Sequence, residues 1–393
     1  MKKSPPIYLD YNATTPIDPN VLQAMRPYFE EYFGNPSSSH IYGKATKEAV
    51  YRAREQTAKL IGAQPSEILF TSGGTESNNH AIIGTAFAKM EKGKHIITSQ
   101  VEHPAVLDTV GYLERRFDFK VNYLPVDKYG MVNPSDVKNA IIPQTILITI
   151  MHANNEVGTI NPIEEIGKIA NESKISFHTD AAQSCGKVPV NVNQLNVDLL
   201  SIAGHKLYAP KGIGALYIRN GTILDKYIHG AGQEQGRRGG TENVAYVAGL
   251  GAACKIAAEN LIRYGKDIKA LRDRLHRNIS DGLGEDHVKL NGHPKNRLPN
   301  TLNISISGVI GERLLARIPE IAASKGSACH AGTTKPSAVL LAMGIPNEQA
   351  LGTLRLSLGR WSTSEEVDVA SRLIVTNARQ ERHNLQNVFT FIC

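Results

Sequence analysis

Between residues 65 and 218 the chain alternates two hydrophobic rhythms. Short apolar-rich runs occur at 68–71, 95–99, 119–124, 145–151, 175–177, 197–202 and 214–218. Between them, apolar positions fall three and four apart at 75–92, 105–116, 134–141 and 162–173. Runs that short and that apolar fit strands buried on both faces, and the intervening spacing fits helices that cover them. The alternation predicts an α/β fold on a mostly parallel sheet with helices on both sides.

The flanks differ. Residues 7–16 read as a short strand passing into turn chemistry, an arm more than a domain, and 19–33 as a helix followed by a small, polar loop at 34–40. Residues 230–243 form a polar, glycine-rich excursion too long for a simple turn, which points to a functional or interfacial segment. Two long helical patterns follow at 244–263 and 266–280, then strand 301–307, helix 312–318, strand 354–358 and a closing helix from 364. A chain of 393 residues suits one large domain and a smaller one. The expected division is an arm at 1–15 joining the small domain, a large α/β domain at 16–260 and a small α+β domain at 261–393.

Composition adds exclusions. Hydrophobic residues at 41% and charged residues at 21% fit a soluble globular protein. The net charge of +7 is spread out, with basic runs no longer than pairs such as Arg115-Arg116 and Arg237-Arg238, so a solvated surface explains it better than direct nucleic-acid binding. Cys185, Cys254, Cys329 and Cys393 lie far apart without a CxxC, which argues against a disulfide framework and a metal site and fits a reducing cytoplasm. Residues 1–6 lack an apolar leader core and no run is long enough to cross a bilayer, so no membrane role is expected.

The candidate chemistry gathers at strand ends. His103, Asn155, Asp180 and Lys206 each follow a predicted strand. In a parallel α/β sheet that edge is where ligands bind. Lys206, ending a buried strand among small residues, is placed to lose water and act as an amine nucleophile, whose natural use is a Schiff base. Asp180 supplies a carboxylate after the neighbouring strand, and a lysine for the aldehyde with an acid for the ring nitrogen is the pair that pyridoxal 5′-phosphate requires. Ser72-Gly73-Gly74 before a helix, with Thr75 at its start, outlines a phosphate cradle, although the same residues cap many helices that bind nothing. Asn35, by spacing alone, reads as a turn residue. Cys185 and Cys254 sit in apolar settings and read as core, and Cys393 as incidental. Cys329, in the small-residue stretch 324–336, reads as a reactive thiol on an accessible loop.

Taken together, Leu9 to Pro16, Gly34-Asn35-Pro36-Ser37-Ser38, Thr71 to Asn78, Glu102-His103, Asn154 to Gly158, Asp180 with Gln183, Gly204-His205-Lys206, Arg238 to Asn243, Gly326 to Cys329 and Arg355 to Arg360 resemble the cysteine desulfurases, an aminotransferase class V-like group of the fold type I enzymes. The resemblance covers nearly the whole chain. It implies a homodimer with a shared site, a mostly parallel seven-stranded sheet, and conversion of L-cysteine to L-alanine with sulfur passed to a cysteine as a persulfide for an acceptor protein. Carried over by position, Lys206 binds the cofactor and moves the substrate α-proton, Asp180 holds the ring nitrogen protonated, and His103 stacks on the ring as acid and base. Asn155 and Gln183 address the ring oxygen. Gly74, Thr75 and His205 bind the phosphate together with Thr241 of the other subunit, Arg355 with Asn35 clamps the substrate carboxylate, and Cys329 is the sulfur nucleophile. Two departures stand out: Ala203 occupies a position where the family usually has a phosphate-binding serine, and His330 follows the cysteine. Selenocysteine lyases share both features, so release of selenium from L-selenocysteine is the nearest alternative. A sulfur-relay scaffold without catalysis is an alternative of another class.

Overall fold

The structure, a computed structural model, describes residues 5–324 and 336–390. Its strands are β1 (Ile7–Tyr8), β2 (Ile68–Thr71), β3 (His95–Ser99), β4 (Lys120–Leu124), β5 (Thr145–Thr149), β6 (Ser176–Asp180), β7 (Leu199–Ala203), β8 (Gly214–Ile218), β9 (Val288–Leu290), β10 (Thr301–Ile306), β11 (Ile321–Ala322) and β12 (Thr353–Ser357). Seven of them form one sheet in the order β2-β8-β7-β6-β5-β3-β4. Strands β7, β6, β5, β3 and β4 run parallel, and β8 is antiparallel to both its neighbours. Every residue of β2, β3, β5, β6, β7 and β8 is buried, which fits apolar runs without alternation, although β3 and β6 also bury polar side chains such as His95, His178 and Thr179. The exposed strand β4 is one of the sheet's two edges, and it carries lysine, asparagine and tyrosine.

Strands β9, β10 and β12 form a second, antiparallel sheet, and β1 pairs in parallel with β11. The N-terminal segment is thereby tied to the end of the chain: Leu9 belongs to the same apolar cluster as Leu275, Leu302, Leu356 and Ile374. A separate, larger cluster includes Ile148, Phe177, Leu200, Tyr217 and Leu250.

Helix ends follow local chemistry. Asp18, His103, Asn133 and Ser337 each accept a backbone N–H with their side chains at helix starts. The expected helix at 19–33 is instead two, Pro19–Met25 and Pro27–Glu30, because Pro27 has no N–H to continue the first and suits the first turn of the second. The two helices expected at 244–263 and 266–280 are one of 40 residues, Val244–Leu283. Gly265 costs that helix about 1 kcal/mol, too little to break a helix held by packing along its length. Residue 261 lies within it, and its first half packs in the larger cluster while Leu275, Ile279 and Leu283 pack in the other.

One long element has no counterpart in the sequence reading. The helix Ile41–Ile61 buries Gly43, Thr46, Ala49, Ala53, Thr57 and Ala58, a stripe of small residues with little apolar contrast, along with Val50, Arg54, Leu60 and Ile61. It ends at Gly62, whose φ of 68° is the left-handed conformation that glycine adopts without a Cβ penalty.

Candidate active site

The carboxyl ends of β2, β3, β5, β6 and β7 open onto one cavity of about 570 Å³. Lys206, His205, Asp180, Gln183, His103 and Asn155 all line it, as do Gly74, Thr75 and, from β12, Arg355. A neighbouring hollow of about 710 Å³ shares Thr75, His103 and Pro104 with it. The sequence-predicted strand-end residues are therefore brought together.

Each is placed by its own local structure. Lys206 closes the 3-10 turn Gly204–Lys206 after β7, and its Nζ donates to the carbonyls of Asn12 at 2.6 Å and Ala13 at 2.7 Å. Asp180 ends β6, and its two oxygens are engaged separately: Oδ1 accepts from Ala182 N at 2.9 Å and Oδ2 from Asn78 Nδ2 at 2.7 Å. His103 caps the helix Pro104–Phe117 through Nδ1, which accepts from Ala105 N at 3.1 Å. That bond makes Nδ1 an acceptor, so the neutral ring carries its hydrogen on Nε2. Burial lowers the His103 pKa, and burial with the charge of Lys206 lowers that of His205 to about 4, so both imidazoles are neutral at neutral pH.

Asn155 is presented by Asn154, whose Oδ1 accepts from Glu156 N and Val157 N and whose Nδ2 donates to Val101 O. Arg355 is 2% exposed. Its Nη2 pairs with Asp10 Oδ1 at 2.9 Å, Nη1 donates to Asn155 O at 3.3 Å, and Nε is buried without a partner among the described residues. At the β2 end, Gly73 holds φ 152°, a conformation L side chains rarely take, and precedes the 16-residue helix Gly74–Lys89, which among the described residues has no side-chain cap and whose first residues Gly74 and Thr75 line the cavity. A Cβ on Gly74 would lie 3.1 Å from the Ala203 Cβ, so this helix start and the end of β7 are in tight contact.

Asn35 and Thr241 are exposed and are not among the cavity's lining residues. Asn35 Oδ1 accepts from Ser37 N, the turn chemistry expected from its spacing. Cys329, His330 and the stretch around them lie outside the described residues, as does Cys393. Cys185 and Cys254 are buried core, and burial raises both thiol pKa values, which makes them poor nucleophiles. Among the described residues no helix is long and apolar enough to cross a membrane.

Three residues without an assigned role belong to the site. Asn12 joins it to both ends of the chain: its carbonyl accepts from Lys206 and Gln183, its Oδ1 from Asn300 and Lys187, and its Nδ2 donates to Asn155 O and Thr301 Oγ1. Asn78 holds Asp180. Glu102 staples two strand ends, since its Oε1 accepts from Ser99 Oγ at 2.6 Å and Met151 N at 3.0 Å. Burial, with Asp180 nearby, pushes the Glu102 pKa up to about 8. The sequence signal for all three was their place inside quoted motifs, next to residues with assigned roles.

The aminotransferase class-V profile matches residues 7–369. The chain belongs to the aminotransferase class-V family. This class-V chain is 52% identical over 364 residues to cysteine desulfurase IscS of Methanosarcina thermophila, covering 92% of this chain and 89% of that one. Against cysteine desulfurase IscS of Dictyoglomus turgidum it is 50% identical over 374 residues, 94% of each chain. Among solved structures, a NifS-like protein superposes with a TM-score of 0.88 at 38% identity over 94% of this chain and 98% of its own. A structure of SspA in complex with cysteine superposes with a TM-score of 0.78 at 40% identity, over 91% and 99%.

The class-V cofactor of this chain is pyridoxal 5′-phosphate. The residues present fit it: the cavity lies in the range of about 300–1,000 Å³ for small-molecule sites. A primary amine, a buried carboxylate fixed by two donors, an imidazole and a helix start line that same cavity.

Proposed function

We propose that this chain is a cysteine desulfurase that converts L-cysteine to L-alanine and passes the sulfur to Cys329 as a persulfide. The observation that supports it best is the meeting of Lys206, Asp180, His103 and Arg355 in one cavity, in a chain about half identical to proteins named cysteine desulfurase. Those names favour cysteine over selenocysteine as substrate, and the complete set of polar groups speaks against an inactive relay.

When bound, pyridoxal 5′-phosphate supplies an electron-accepting ring that stabilises negative charge at the substrate carbon. Lys206 would hold its aldehyde, Asp180 would face the ring nitrogen and keep a proton there, and the helix start with Gly74, Thr75 and His205 would hold its phosphate. Asn155 and Gln183 would address the ring oxygen, and His103 would lie against the ring. Arg355 would bind the substrate carboxylate, sharing its guanidinium with Asp10, with Asn35 assisting. The Lys206 amine would also take the proton from the substrate Cα. The Cys329 thiolate then attacks the substrate sulfur: the Cβ–S bond breaks, an S–S bond forms on Cys329, and a proton delivered through His103 or Lys206 completes alanine. Atoms balance, since cysteine and one thiol become alanine and one persulfide.

We read residues 1–15 as an arm, 16–260 as the cofactor domain and 261–393 as the domain that brings in Cys329. The chain would act in the cytoplasm as a homodimer, with Thr241 reaching the phosphate in the other subunit's site. The persulfide would be handed to an acceptor protein, and the IscS name of the relatives favours iron–sulfur cluster assembly. Amino-acid product analysis tests the reading. Alanine formed from L-cysteine, and lost in Cys329→Ser with the visible cofactor absorbance kept, is the expected result. Alanine from L-selenocysteine alone would move the chain to the lyase branch, and none from either would end the reading.

A further inference from the structure

Gln183 lies in the cavity wall and is buried. Its amide could face the cavity with either end. The ring oxygen of the cofactor is an acceptor that carries negative charge, so only the amide nitrogen can serve it. Something must therefore hold the amide in one of its two orientations.

Residues 181–187 after β6 wind in successive turns, with Ser184 N and Cys185 N bonded to Ala181 O, and Lys187 N and Val188 N to Ser184 O. This winding puts the side chains of residues 183 and 187 on the same side. Lys187 Nζ donates to Gln183 Oε1 at 2.7 Å and to Asn12 Oδ1 at 3.3 Å. On the other side of the amide, Gln183 Nε2 donates to Asn12 O at 3.0 Å. Among the described residues only that one hydrogen of Nε2 has a partner. A flipped amide would set its oxygen against the Asn12 carbonyl and its NH₂ against the Lys187 amine, replacing two attractive contacts by two repulsive ones.

We propose that Lys187 is a positioning residue: by holding the Gln183 oxygen it keeps the amide N–H turned to the cavity, so that this wall of the site accepts only a hydrogen-bond acceptor. The inference rests on the reading of the cavity as a pyridoxal phosphate site in which Gln183 addresses the ring oxygen. Lys187 does not itself line the cavity. Burial, with the charges of Lys206 and Arg355 nearby, lowers its pKa to about 7. The role survives that titration, because ammonium and amine both carry N–H groups and the Asn12 carbonyl opposes a flip in either form.

The test is a double-mutant cycle on the holoenzyme, reading the dissociation constant of pyridoxal phosphate and the pH midpoint of its visible band. Lys187→Met keeps the aliphatic stem and removes the donors. It is expected to weaken cofactor binding by about tenfold to a hundredfold, the usual worth of a hydrogen bond from a charged donor, and to move the pH midpoint. Lys187→Arg is expected to restore most of the loss. In a Gln183→Ala background, Lys187→Met should add less than about threefold, because contacting residues acting through one another are not additive. Equal losses with and without Gln183, or wild-type binding in K187M, would overturn the proposal. Should K187M not fold, Gln183→Glu serves: Lys187 would hold one oxygen and the other would face the cavity, so binding should fall at least about tenfold, and unchanged binding in Q183E would sink the idea. Failure of the wild-type chain to show a visible band with pyridoxal phosphate would end the reading of the site itself, a result distinct from each of these.

Discussion

Replacing Arg54 by methionine should be among the most damaging single changes outside the cavity. Arg54, on the helix Ile41–Ile61, meets Glu234 in a two-point pair of 2.9 and 2.7 Å, with side chains only 9% and 3% exposed. Glu234 Oε2 also accepts from Phe70 N at 2.9 Å, Arg54 donates to Ile68 O, and the guanidinium lies over the Phe70 ring at 4.7 Å. The pair thus locks three separate parts of the chain: the helix, strand β2 before the Gly73–Gly74 turn, and the segment that leads to Thr241. A second tie, Arg238 to Glu76 at 2.6 Å, fastens the same segment to the helix after Gly73. With methionine at 54 the Glu234 carboxylate would stay buried with a single donor, and breaking one side of a buried pair costs about 3–5 kcal/mol. Changing both to methionine removes the stranded charge, so the double variant should be less destabilised than the sum of the single changes. Urea unfolding of the three variants reads both quantities. A loss in Arg54→Met within about 1 kcal/mol of wild type, the level of an exposed pair, would refute the reasoning.

Acid should loosen the fold through its buried histidines. His80, His152, His178 and His205 have folded pKa values lowered by burial from 6.5 to about 4, so the unfolded chain takes up the extra protons and stability falls as pH drops across that window. Glu102 acts in the opposite sense, since its pKa rises from 4.5 unfolded to about 8 folded and its share of stability is lost as pH rises through that range. A urea midpoint that stays level from pH 6.5 to 4 would contradict the histidine assignment. Asn78→Ala removes a donor from Asp180 and should slow turnover by about tenfold to a hundredfold, in line with the ~1.5–3 kcal/mol of a hydrogen bond to a charged group. Wild-type turnover in that variant would show that Asp180 needs no such support.

Most of the sheet was legible because every strand but β4 is buried on both faces, so apolar runs stand out, and the useful side chains were legible because they sit where those runs stop. The β8 span agrees in full, and the shared edge of His103, Asn155, Asp180 and Lys206 lines one cavity. The helix Ile41–Ile61 was hidden because most of its inward face is alanine, glycine and threonine, which carry almost no hydrophobic contrast, with Val50, Leu60 and Ile61 the larger apolar residues among them. The helix Val244–Leu283 reads as two, at 244–263 and 266–280, because a local pattern says nothing of the packing on either side of a short gap. The Asn12 network was hidden for another reason: the residue sits in a quoted motif, but its partners lie 143 to 345 positions away, and no local pattern encodes bonds of that reach.

The central claim is that the amine of Lys206 is where the cofactor is held. Loading the chain with pyridoxal 5′-phosphate, reducing it with borohydride and mapping the labelled peptide tests this directly. A pyridoxyl group on Lys206, absent from Lys206→Ala, is the predicted result. A label on Lys187 or on a surface lysine, or no stable label at all, would contradict the account.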